Sequence, residues 1–363
     1  MPDALRVTVW HVPTPLPQPV LTPQGPYDTF FHVVVVIDDR DGNRGWGYSG
    51  LASLPVLDET AEHAVAWLAS TPATLPALLT VEHAEGGPGG DASASVAGHA
   101  AANAIAIAAW DLAARRLGVA CADLWGRRPG TDALPAYASG FFLDSSDDDL
   151  RREADAFHAK GYRFVKMRVG LDVARDLERL AVVREVIPDA TQIAVDAVNA
   201  WTPDRTREFV AAAGAELLWV EDPTPYDTLG SLAAFDGVLA AGESLRTVGA
   251  LAELAERAQL DALLLDVQQL GGPMRFLEAA RALAGRARIG GHIYTAQSLH
   301  LLACVDAPLP VEAFDWSDSL FLQPPAPGPD GRIAVRGPGF GFELNEEVLH
   351  RHGRAVGGAA LGG

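Results

Sequence analysis

The sequence predicts an α/β fold in which a (β/α) barrel carries a smaller α+β unit, and three observations lead there. The chain has 363 residues, too many for one ordinary domain and suited to a barrel of about 250 residues plus a second body. From about residue 133, eight short apolar runs recur, their starts 22 to 30 residues apart. Helix-like stretches separate them, so the strands belong to a parallel sheet buried on both faces. Eight such strands close into a barrel more readily than they form an open sheet.

The first 80 residues mix strand-like runs with helix-like ones: Phe30 to Asp38 contains four consecutive valines, and Glu59 to Ala69 has helical spacing. The Pro-rich stretch Val12 to Tyr27 and the region Ser49 to Pro55 are expected to be loops. Between Glu82 and Ser95 the composition EHAEGGPGGDASAS predicts a mobile loop. His99 to Leu117 reads as a helix closed by Gly118. Its many alanines require close packing against neighbours. The barrel strands follow as LPAYASG (134–140), FVKMRVG (164–170), QIAVDAV (192–198) and LLWVEDP (217–223). LAAGESL (239–245), ALLLDVQ (262–268), ARIGGH (287–292) and LPVEAF (309–314) complete the series. Ser145 and Ser146 are candidate caps for a helix over Asp147 to Lys160. A dinucleotide-binding sheet is the structural rival, but no G-x-G-x-x-G turn follows a strand. The tail after Ala334 is long enough to return across the first domain.

Composition narrows the function. Hydrophobic residues make up 48% of the chain, enough for a large core, and 28 Lys plus Arg against 47 Asp plus Glu leave a net charge of −19. That excess repels phosphate backbones, so a nucleic-acid partner is not expected. Met1 to Trp10 lacks the pattern of a signal peptide, and no uninterrupted apolar run is long enough to cross a bilayer. Cys121 and Cys304 have no metal-type spacing and read as small buried hydrophobes. A cytoplasmic homo-oligomer is the expectation.

Barrel enzymes place their chemistry at the C-terminal ends of the strands. Here the third strand ends in Asp196, the fourth in Glu221 and Asp222, and the fifth in Glu243. Like charges on one rim need a cation, and an all-oxygen set that leaves room for water and substrate suits Mg²⁺. The alternative is that each acid caps the next helix. Lys166 and Arg168, two apart on the second strand, face the same way and need an anion, either the acidic rim or a substrate carboxylate. A plain salt-bridged strand end is the alternative there. Asp266 ends the sixth strand and His292 the seventh. An Asp beside a His fixes the imidazole tautomer and raises its basicity, as a general base requires. Glu312, near the end of the eighth strand, could donate or accept a hydrogen bond at the substrate.

Taken in order, VKMR, VDAVNAW, VEDP, AGES, LLLDVQQLGG, GGH and VEAF resemble the mandelate racemase group of the enolase superfamily. That group shows K-x-K, D-x-N, E-[ED]-P and G-E on strands two to five, then Asp, His and Glu on the next three. The segment AAWDLAARRLG also looks like the part of that family preceding the barrel, so the likeness runs from about residue 98 to 343. It implies an N-terminal capping domain over 1–125, a (β/α)₇β barrel over 126–330, and a C-terminal segment, 331–363, returning to the cap. It further implies Mg²⁺ on Asp196, Glu221 and Glu243, with His292 and Asp266 as a base dyad.

Two departures from the group bear on the reaction. Arg168 stands where a second lysine is common, and a guanidinium that stays protonated is a poor base. Val198 stands where the group has Asn, with Asn199 after it, so a polar contact is lost or rebuilt. Racemisation needs proton donors on both faces, which Arg168 weakens, whereas β-elimination of water from a sugar acid needs one. Dehydration is therefore favoured. Racemisation, epimerisation or cycloisomerisation with Lys166 opposite His292 is the alternative, and a barrel that binds metal and ligand without turnover is a third reading.

Overall fold

The computed structural model describes residues 5–84, 95–213, 217–233 and 235–359. Most of the Gly/Ala/Ser-rich segment expected to be a loop, residues 85–94, lies outside them.

The cap is a four-stranded antiparallel sheet in the spatial order Arg354–Ala359, Arg6–Thr22, Gly25–Asp38, Arg44–Leu51. The tail reaches it: the strand Arg354–Ala359 lies against Arg6–Thr22, with Val7 opposite Ala359 and His11 opposite Arg354. The Pro-rich stretch is not a loop. It is the second half of the strand Arg6–Thr22, paired with Gly25–Asp38 as a long hairpin. Prolines at 13, 15, 17 and 19 argue against a central strand. They are tolerated because the tail strand pairs only as far as His11, so one edge beyond it needs no N–H. The register also slips between Pro15 and Val20.

The helix Val96–Leu117 starts at Ser95, whose hydroxyl accepts from the Gly98 N–H, and ends at Gly118 with φ 69°. It fits against the strand Arg44–Leu51 so closely that a Cβ on Gly45 would lie 2.4 Å from Ala108 O, and one on Gly47 2.5 Å from Ala108 N. Alanine on the helix and glycine on the strand thus answer each other. By length and composition alone this helix could cross a membrane, although His99, Asn103 and Asp111 interrupt its apolar run. Its apolar window is 83% buried inside the fold, and that burial accounts for its composition.

The barrel strands are Ala133–Gly140, Phe164–Arg168, Gln192–Asp196, Val220–Glu221, Leu239–Ala241, Ala262–Leu265, Arg288–Gly291 and Val311–Ala313. They pair in parallel in chain order. Val311–Ala313 pairs with the first strand, and Leu309 N donates to Ile289 O at 2.8 Å, so the sheet closes on itself. Most of the strands are shorter than their apolar runs, down to the two residues Val220–Glu221, while Ala133–Gly140 keeps its full run. Ala262–Leu265, buried along its whole length, is the sheet at its most regular. Between strands one and two, Ser146 caps the helix Asp147–Ala159 in a reciprocal box with Asp149. Cys121 is buried and Cys304 half-buried, both as free thiols.

Candidate active site

Register fixes the height of each charged group. Arg168 lies opposite Asp196, and Asp196 opposite Glu221, on adjacent strands. Leu265 lies opposite Gly291, so the next residues, Asp266 and His292, leave the sheet side by side. Glu243 stands two residues beyond the fifth strand. All eight predicted site residues therefore gather at one mouth of the barrel.

Asp196, Glu221 and Glu243 each offer an oxygen within 4.8 Å of the others. Asp196 Oδ2 and Glu243 Oε2 are buried without an aligned hydrogen-bond donor. An oxygen-only set gathered this closely fits a hard divalent cation. Two cationic side chains lie against the cluster. Lys166, fully buried, places Nζ 2.7 Å from Glu221 Oε1, 2.9 Å from Glu312 Oε1 and 3.3 Å from Asp196 Oδ2. Arg168 pairs with Asp196. Trp219 Nε1 donates to the second oxygen of Glu221 at 2.9 Å. Burial raises the Glu221 pKa despite the lysine.

The dyad is formed. His292 Nδ1 lies 2.7 Å from Asp266 Oδ2, and Nε2 lies 3.0 Å from Glu243 Oε2. Burial opposes charge on the ring, but Glu243 and Asp266 outweigh it and raise the pKa well above the ordinary histidine value. The same pairing brings Glu243 down to about 2 against its own burial. Asp266 also caps the short helix Val267–Leu270 by accepting from Gln269 N at 2.8 Å. One of its oxygens thus caps a helix while the other holds the imidazole.

Glu312 is engaged on both of its oxygens. Its Oε2 accepts from Ile293 N at 2.8 Å and its Oε1 faces Lys166. Burial works against its charge, yet Lys166, His292 and Arg168 hold its pKa far below the usual carboxylate range. It is an acceptor locked to the chain and does not line the cavity.

At the position where asparagine was expected, the backbone supplies a donor to Asp196. Val198 adopts φ 46°, and its N–H donates to Asp196 Oδ1 at 2.9 Å. Ile293 sits at φ 38° immediately after His292. β-Branched residues rarely enter this region, and here both stand at the rim where the chain must turn sharply.

Above the acids opens a cavity of about 310 Å³. Arg168, Glu243, Asp266 and His292 line its barrel side, whereas Lys166, Asp196 and Glu221 do not reach it. Thr22, Tyr27 and Phe30 from the hairpin, and Gly50 to Ser53, line the cap side. Tyr294 links the two bodies: its hydroxyl donates to Gln268 Oε1 and accepts from Gly50 N at 3.1 Å, with Gly50 O also 3.1 Å away. Sequence reasoning missed Tyr294, Gln268, Phe142 and Trp316, all of which line this cavity. Only their positions just past strand ends could have flagged them.

Comparison with known proteins agrees with this geometry. Residues 149–348 match the enolase C-terminal domain-like family, and residues 4–126 match the mandelate racemase / muconate lactonizing enzyme N-terminal domain. A 3,6-anhydro-alpha-L-galactonate cycloisomerase of Streptomyces coelicolor is 30% identical over 97% of this chain and 99% of its own. A crystal structure of L-talarate dehydratase from Polaromonas sp. JS666, complexed with Mg and L-glucarate, is 26% identical and superposes with a TM-score of 0.84, covering 98% of each chain. A racemase from Streptomyces coelicolor A3(2) with bound magnesium is 27% identical with a TM-score of 0.84, over 98% of this chain and 99% of that one. With both domain models matched and a full-length relative at that identity, the chain belongs to the enolase superfamily, in its mandelate racemase / muconate lactonizing enzyme family.

Proposed function

We propose that the protein removes the proton α to the carboxylate of a sugar acid and expels the oxygen on the neighbouring β-carbon, acting as a dehydratase. The single observation that carries this is the asymmetry of the cavity wall. His292, held by Asp266, faces the cavity, whereas Lys166 is buried beneath it among three carboxylates. The cation that does line it, Arg168, stays protonated at any working pH. One face has a base and the other has a fixed charge.

Asp196, Glu221 and Glu243 are the residues that would hold Mg²⁺. When bound, the ion supplies the positive charge that offsets the clustered carboxylates and stabilises charge building on the substrate carboxylate. His292 Nε2 then takes the α-proton while the C–H electron pair moves toward the carboxylate, and Asp266 keeps the other ring proton on Nδ1. Arg168 remains charged beside the developing anion. As the pair returns to form the carbon–carbon double bond, the β-carbon–oxygen bond breaks. The imidazolium returns its proton to the departing oxygen, water leaves, and the enol tautomerises to a 2-keto acid.

One finding favours a second reading. The relative with 30% identity over nearly the whole chain is a cycloisomerase. If the β-oxygen belongs to a ring ether, the same one-sided elimination opens the ring and loses no atoms. Both readings share His292 as the only working base. The test is incubation of sugar acids in deuterium oxide with Mg²⁺. A 2-keto product without accumulation of the α-epimer is expected, and His292→Asn should abolish both product and α-proton exchange. Equilibration of the two α-epimers at the rate of turnover would overturn it and make Lys166 a second base.

A further inference from the structure

We infer that the substrate is a monocarboxylate whose far end is uncharged and presents a saturated ring face to Trp316, so that a second carboxylate is rejected. This rests on the α-proton chemistry proposed above and deepens it to a substrate class.

The first argument is charge. Among the described residues, Arg168 is the one fixed cation lining the cavity and His292 the one titratable base, and both are engaged at its inner end, by Asp196 and by Asp266 with Glu243. The remainder of the described wall carries no Lys, Arg or His. The sequence of residues 85–94, EGGPGGDASA, adds none. Arg246 and Arg275 act on His99, where their charge helps burial lower its pKa, and neither lines the cavity. A distal carboxylate would be desolvated without a partner, in a protein already at −19.

The second argument is shape. Trp316 is the hub of an aromatic cluster, with ring centroids 4.8 Å from Phe314, 5.2 Å from Phe30, 5.3 Å from Tyr27 and 5.8 Å from Phe142. All five rings line the cavity. The next residue is tied down, since Ser317 Oγ lies 3.0 Å from His32 Nε2. Aromatic faces carry negative quadrupole charge. They attract the polarised C–H face of a saturated ring and repel a carboxylate.

The third argument is the neutral polar wall. Gln268 Oε1 meets the Tyr294 hydroxyl, which leaves the amide NH₂ as a donor, and Gln269, Thr22 and Ser53 add uncharged groups. Amides and hydroxyls match sugar hydroxyls. At about 310 Å³ the cavity is at the small end of ligand sites and takes one compact acid.

The test uses binding and turnover separately. Calorimetry on the His292→Asn protein with Mg²⁺ compares a 3,6-anhydrohexonate, an open-chain hexonate and the matching hexarate. The hexarate should bind at least about 100-fold more weakly than either monoacid. Trp316→Leu should weaken the anhydro acid roughly tenfold and the open-chain acid less, while Trp316→Phe retains most of the affinity. A hexarate binding within tenfold of the monoacids, or Trp316→Leu weakening all three equally, would overturn the inference. Proton exchange by the unaltered protein is scored independently. Failure to exchange with any acid would refute the elimination chemistry, while the binding order still decides the substrate class.

Discussion

Asp266→Asn isolates the part of the site on which the reaction depends most. The substitution is nearly isosteric and keeps the helix cap, because asparagine serves at that position about as well as aspartate and the acceptor for Gln269 N at 2.8 Å survives. What it removes is the charge 2.7 Å from His292 Nδ1. A hydrogen bond to a charged group is worth about 1.5–3 kcal/mol, or about 10- to 150-fold in rate. A second effect compounds it. The asparagine NH₂ can donate to Nδ1, which moves the ring proton to Nε2 and blocks the atom that must accept the α-proton. In a triad hydrolase the same Asp→Asn change costs about 10⁴-fold through the wrong tautomer. We therefore expect a loss of about 10³-fold or more in α-proton exchange, measured by proton NMR in deuterium oxide, with unchanged thermal unfolding. If the variant exchanges within about threefold of the parent, Glu243 alone orients the ring and the dyad is not a unit.

Two further outcomes follow from the same geometry. Chelation should abolish turnover and Mg²⁺ restore it, and Glu221→Gln should raise the Mg²⁺ concentration needed for half-activity by about tenfold or more, read from a metal titration. Full activity in rigorously chelated protein would refute the metal assignment. The second outcome concerns pH. Burial holds His32 at about 3, against an ordinary value of 6.5, and His300 at about 4. Because both folded values lie below the unfolded one, the stability these neutral rings contribute is present above pH 6.5 and is lost as pH falls toward 3. At about pH 4.5 the His32 contribution alone amounts to about 3 kcal/mol. Urea midpoints should drop between pH 7 and that value, and His32→Gln should shrink the drop. An equal drop in the variant would show that His32 does not drive it.

What was legible in the sequence is what register and charge enforce. A carboxylate at the end of an apolar strand has one place to go, so Asp196, Glu221, Glu243, Asp266 and His292 could be assigned to a common rim before any contact was known. Strand period and apolar patterning also marked the barrel. The hairpin at Arg6–Thr22 was hidden because proline is read as a breaker, and only the end of the tail strand at His11 shows that one edge of that stretch has no hydrogen bonds to lose.

The role of Arg168 was hidden for a different reason, and it bears on how the site works. Sequence alone shows that an arginine replaces a lysine, which removes a base but does not say what it adds. Arg168 and Lys166 project on the same side of one strand, yet only Arg168 lines the cavity, while Lys166 ends among Asp196, Glu221 and Glu312. The lysine thus offsets buried carboxylate charge, and the arginine spans from Asp196 to the substrate space. A shorter, more readily deprotonated lysine at 168 would loosen that span and introduce a base opposite His292. An arginine in place of a second lysine thus removes a base and supplies a fixed positive charge, and both support the elimination proposed above.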